Sequence, residues 1–234
     1  MKEQIINIVE KAKQGPVWLR AGVAAIPWAG GALDHLLFDK AGEIRMKNVE
    51  QALSDMKETF EKVEEEKVSK EWFESEEALD MLKNLLQKIE FEGDATKVKT
   101  LSKVYCLFGT KEHKDDPNKY AVLETISKMT SNQRVIFKAV GCVPEVSKTN
   151  NSGAISYAGS AIWLSDILGY IKQNNTVLSQ LKSPTGNVTL DVELDILTSF
   201  NLLRDVNMPN MPEKGYTITQ LGRLALSYLA EVAR

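Results

Sequence analysis

LDVELDILTSFNLLRDVNMPNMPEKGYTITQLGRLALSYLAEV, residues Leu190–Val232, is the stretch that decides the fold. Residues 190–202 read as an amphipathic helix. LLRDVN and GYTIT follow as the two strands of a hairpin, separated by the Pro-rich tip MPNMPEK. Thr219 then caps a last helix, QLGRLALSYLAEV. Just upstream, a short helix at 176–181 runs into a turn at Ser183-Pro184-Thr185-Gly186-Asn187. Helix, turn, helix, β-hairpin, helix is the layout of a winged helix-turn-helix.

Moving outward, Ile155 to Lys172 reads as a mainly apolar helix, preceded by the polar loop VSKTNNSG (146–153). Thr130 starts a helix carrying Val135, Ile136, Phe137 and Val140, and another helix spans 117–129 with Pro117 in its first turn. GTKEHKDDPNKY (109–120) reads as a charged linker. Before it, Asp94 caps a helix from Ala95 to Phe108 that Gly109 closes, and Ser75 caps a helix with Leu79, Leu82, Leu85, Leu86 and Ile89 on its buried side. Ser69 caps a short turn through Trp72-Phe73. From about Ala32 a long helix carries the stripe Leu33, Leu37, Ile44, Val49, Leu53, Met56, Phe60 and Val63. Charged residues, Asp55 among them, form the opposite, wet face.

The first residues form an amphipathic helix over 2–14 that Gly15-Pro16 ends. PVWLRAGVAAIPWAGGALDHLLF then holds Pro27 and the pair Gly30-Gly31 mid-segment, which predicts two short apolar helices joined by a turn. Trp18 and Trp28, with small residues such as Gly22, suit close packing or interfacial insertion. A core hairpin is the plainer reading; a segment released to a membrane or partner is the sharper one. The longest uncharged apolar run, Ala21–Leu33, is shorter than the roughly 20 residues a straight spanning helix needs.

The expected fold is all-α with a small β-hairpin. An N-terminal helical domain (1–112) holds the apolar hairpin and the long helix, and a helical domain (113–234) ends in the winged-helix-like module. A net charge of −3 supplies no global field for nucleic acid. Cys106 and Cys142 lack metal-ligand spacing and read as two buried small hydrophobes, in keeping with a reducing, cytoplasmic setting. No Walker loop, G-x-S-x-G or H-E-x-x-H is present, and His35 and His113 read as solvated, so no enzyme, metal or cofactor is expected. Secretion is not expected either, because no apolar leader with a cleavage site opens the chain.

A winged helix raises DNA binding. The reading helix, however, offers Asp191, Glu193, Asp195 and Asn201. Candidate nucleic-acid contacts are Lys182, Arg204, Lys214 (offset by Glu213) and Arg223, with Lys138 completing a basic surface if the set converges. An acidic helix is repelled by a polyanion, so protein contact or self-association is the favoured expectation and a DNA-binding regulator the rival. The candidate membrane or partner segment is the hairpin with Trp18, Gly22, Pro27, Trp28, Gly30 and Gly31, which would place the protein at the periphery of the inner membrane.

Three stretches resemble a family of bacterial abortive-infection proteins, the Abi-alpha type. They are SEEALDMLKNLLQKI (Ser75–Ile89), YAVLETISKMTSNQRVIFKAV (Tyr120–Val140), and the pair LDILTSFNLLRD (Leu194–Asp205) with GYTITQLGRLALSYL (Gly215–Leu229). Together they touch about half of the chain. The resemblance implies helical N-terminal regions, a winged-helix-like C-terminus and a role in phage defence or stress response. Its motifs are structural, so it carries over no site residue.

Overall fold

The computed structural model describes residues 40–62, 65–147, 160–181, 187–206 and 213–232. The chain is mostly helical with a small antiparallel sheet, as expected. It divides into two compact units, Met1–Leu123 and Glu124–Arg234.

In the first unit, α1 (Lys40–Lys62), α2 (Lys70–Phe73), α3 (Glu76–Glu90), α4 (Ala95–Phe108) and the start of α5 (Lys119–Lys128) follow in order. The caps fall where the sequence places them. Ser69 accepts the Trp72 N–H, Ser75 that of Ala78, and Asp94 those of Thr96 and Lys97. Helix α3 buries Ala78, Met81, Leu82, Leu85, Leu86 and Ile89, one face of a 3.6-residue period. That face and α4 receive α1. Phe60, Trp72, Phe73 and Tyr105 form an aromatic cluster with centroid spacings of 4.9 to 6.0 Å, mostly edge to face. Gly109 lies against the Phe73 ring so closely that a Cβ there would sit 2.0 Å from it.

Two expectations change in this unit. Asp55 is 5% exposed, not on the wet face. It lies at i+3 from Ala52 and beside Met56, on the stripe that α1 buries. One carboxylate oxygen accepts from Gln51 at 3.0 Å, and Oδ2 is buried without a partner. The charged stretch 109–120 is not a free linker. Ser69 donates to the Gly109 carbonyl and Lys111 to that of Lys67, both at 2.8 Å. Gly109 closes α4 as expected, its N–H donating to the Cys106 carbonyl at 3.2 Å, and Thr110 Oγ1 adds a bond to Leu107 O at 2.7 Å.

The second unit holds α6 (Ser131–Cys142), β1 (Val146–Ser147), β2 (Ser160–Trp163), α7 (Leu164–Gln173), α8 (Asn175–Gln180), α9 (Asn187–Ser199), β3 (Leu203–Val206), β4 (Gly215–Ile218) and α10 (Gln220–Val232). Thr130 and Gln133 make a full capping box for α6. The strands run antiparallel in the order β1-β2-β4-β3, with Ile162 opposite Tyr216 and Arg204 opposite Thr217. Residues 160–163, expected as helix, are therefore strand. A short apolar run has no period that separates a buried strand from a buried helix, and pairing with β4 decides it. Cys106 is buried as expected, but Cys142 is exposed at the end of α6.

A corner joins α9 to the hairpin and α10. Asn201 takes the left-handed conformation (φ 58°), which turns the chain out of α9. Thr219 Oγ1 donates to the Asn201 carbonyl at 2.6 Å and accepts the Gly222 N–H at 2.9 Å. Gly222 is pressed on the Leu202 carbonyl, 2.2 Å from where a Cβ would stand. Among the described residues no helix is long and apolar enough to cross a membrane.

Candidate functional site

The hairpin base is where charged side chains gather in the second unit. Helix α9 carries Asp191, Glu193 and Asp195 and no Lys or Arg. Its outward face presents Val192, 53% exposed, with Asp195 and Ser199. Asp191 and Asp195 are four residues apart and so share a face. Lys214, immediately before β4, places Nζ 3.1 Å from Asp191 Oδ1 and 3.1 Å from both carboxylate oxygens of Asp195. The buried Tyr216 donates its hydroxyl to Asp191 at 3.2 Å. The hydrogen bonds to Asp191 and Asp195 hold the Lys214 ammonium above its ordinary range, and burial, then the same two carboxylates, push the Tyr216 phenol up.

The neighbouring residue does the same for α7 with the opposite sign. Trp163 gives α7 no side-chain cap. Instead Glu213 accepts the Ser165 N–H at 2.9 Å and its hydroxyl at 2.8 Å, a carboxylate at a helix N-terminus where the macrodipole favours it. Glu213 and Lys214 thus tie the hairpin to α7 and to α9. Beside them a depression of about 320 Å³ runs along α7, lined by Leu164, Leu168 and Gly169 with Lys172 and Glu213 at its polar edge.

The sequence-predicted contacts scatter over separate elements. Lys214 lies against carboxylates, Arg204 is exposed on β3, Arg223 is exposed in the first turn of α10, and Lys138 is half-buried in α6. Lys182 lies outside the described residues, as do Trp18, Gly22, Pro27, Trp28, Gly30, Gly31 and His35.

A second charged cluster, which periodicity does not reveal, lies in the first unit. The Lys119 side chain is 3% exposed, with Nζ 3.0 Å from Glu77 Oε2 and 5.2 Å over the Trp72 ring. Nζ also donates to the Lys114 carbonyl, and Trp72 Nε1 donates to the same Glu77 oxygen at 2.8 Å. One salt bridge, the Lys119 and Trp72 hydrogen bonds and a cation–π contact here close the loop 114–119 onto α2 and α3.

Comparison of the chain with family models, with curated proteins and with solved structures gives no match.

Proposed function

We propose that this protein is a non-enzymatic binding protein that works through protein contacts, with its C-terminal unit a winged helix turned to protein recognition. The strand order β2-β4-β3, with α7 and α9 between β2 and the hairpin, supports the winged-helix reading. The observation that carries the function is the chemistry of α9. The helix that would enter a DNA groove has three carboxylates, no cation and an exposed Val192. Base edges and phosphates are met by Arg, Lys, Asn and Gln, whereas α9 offers acidic groups that a polyanion repels and one exposed aliphatic side chain. The likeness to abortive-infection proteins gives the biological setting, defence or stress response in a bacterial cytoplasm.

The test pairs two measurements on the full chain. Fluorescence anisotropy with a labelled duplex at low salt is expected to show no binding; binding whose affinity falls steeply with salt would instead establish the rival, a DNA-binding regulator. Sedimentation equilibrium is expected to show self-association that Val192→Glu weakens; a strict monomer whose hydrodynamics that variant leaves unchanged would remove α9 as the contact face. The membrane component of the reading rests on the segment with Trp18, Pro27 and Trp28. Leakage of anionic vesicles, lost in Trp28→Asp, is its expected signature, and no leakage at any pH or lipid composition ends it.

A further inference from the structure

We infer that Asp191 and Asp195 are an internal stand-in for phosphate, an autoinhibitory contact that keeps Lys214 from binding a polyanion. The inference rests on the reading of α9 as a protein-facing helix and explains how nucleic acid is refused. An ammonium has three N–H donors. Around Lys214 Nζ stand three carboxylate oxygens, Asp191 Oδ1 and both of Asp195, each at 3.1 Å, so two carboxylates already meet the ammonium's charge. An incoming phosphate meets the negative charge of both carboxylates at the lysine it would bind.

The hairpin is also anchored by contacts that do not involve the Lys214 ammonium. The Lys214 carbonyl accepts the Leu164 N–H at 3.2 Å, Glu213 is fixed on Ser165, and the next residue, Gly215, is paired with both Trp163 and Val206. The Lys214 side chain can therefore exchange partners while its backbone stays in place. It is also within reach of a ligand, being 39% exposed, with Asp191 and Asp195 at 36% and 56%. Tyr216 holds Asp191 from the buried side, which keeps that carboxylate aimed at the lysine.

The experiment measures binding of a short labelled duplex across a salt series by wild type, by Asp191→Asn with Asp195→Asn, and by that double variant carrying Lys214→Gln. The asparagine at 191 keeps an acceptor for Tyr216, and circular dichroism checks each fold. The expected result is no binding by wild type, salt-sensitive binding by the double variant, and a salt slope reduced by about 1 in the triple variant. A silent double variant that folds overturns the inference and leaves the protein-contact reading standing. Equal slopes with and without Lys214 also overturn it, because the gain is then bulk charge alone. Binding by wild type fells both. Should the double variant not fold, Asp195→Asn alone, which leaves the Tyr216–Asp191 bond intact, carries the same test.

Discussion

Lys119 and Lys214 make ion pairs of similar length, 3.0 and 3.1 Å, in settings that give them opposite weight. Lys119 is nearly fully buried, its charge met by Glu77, a backbone carbonyl and the Trp72 ring. Lys214 stands partly in solvent between two aspartates. In the low-dielectric interior an unpaired charge is expensive, whereas at the surface water replaces a lost partner. Stranding the charge is therefore costly at the first pair, and the second sets what its surface will accept.

The burial of titratable groups in both units shows most visibly in alkali. Burial raises the Tyr105 phenol and the Cys106 thiol in the first unit and the Tyr216 phenol in the second, and the aspartates raise Lys214. A raised folded-state pKa stabilises fully below the unfolded value, and that contribution is lost as pH rises through the folded value. Stability should hold up to the ordinary thiol range of about 8.5, decline beyond it, and fall steeply above about 10, where the unfolded tyrosines ionise. Denaturant melts across that range, read by tyrosinate absorbance, check this; flat stability through pH 11 would contradict the burial of these groups.

Glu77→Ala should cost about 3 kcal/mol in urea melts, because it strands the buried Lys119 charge. Lys119→Met should cost only about 1 kcal/mol, since the Glu77 carboxylate left behind is 41% exposed and can be hydrated. Equal costs would mean that the pair itself, not burial of the cation, matters. In the second unit the rigid point is main-chain packing. Gly222→Ala should cost about 2 kcal/mol, because backbone at Leu202 cannot give way to a Cβ. Smallest of all, Lys214→Met should change stability by about 0.5 kcal/mol. A loss as large as that of Glu77→Ala would make the hairpin base a structural keystone.

Much of the fold was legible because it is written locally. Ser69, Ser75, Asp94, Thr130 and Thr219 announce helix starts by side-chain chemistry that acts within three residues, and α3 and α10 show their buried faces in a single period. Residues 160–163 were not legible, because their partner strand comes long after them in the chain. Asp55 was misread by its charge although its spacing from Ala52 and Met56 placed it inside. Of the site, the acidity of α9 could be read directly. That Lys214 pairs with it, or that Glu213 caps α7, depends on which side chains the sheet brings together. Lys119 gave no signal at all, sitting in a charged stretch whose composition resembles solvated loop.

The strand order has a consequence for how the second unit comes apart. The hairpin β3–β4 can form from neighbouring residues, but β2 reaches β4 only after α7, α8 and α9 have been laid down between them. Those helices are thus enclosed in a loop whose ends are stitched by Ile162–Tyr216 and Trp163–Gly215. Forming that stitch requires loop closure, so β2 should join the sheet after the hairpin has formed. Because α7, α8 and α9 each also pack on α6, the closed loop and the helix it is laid against should come apart together.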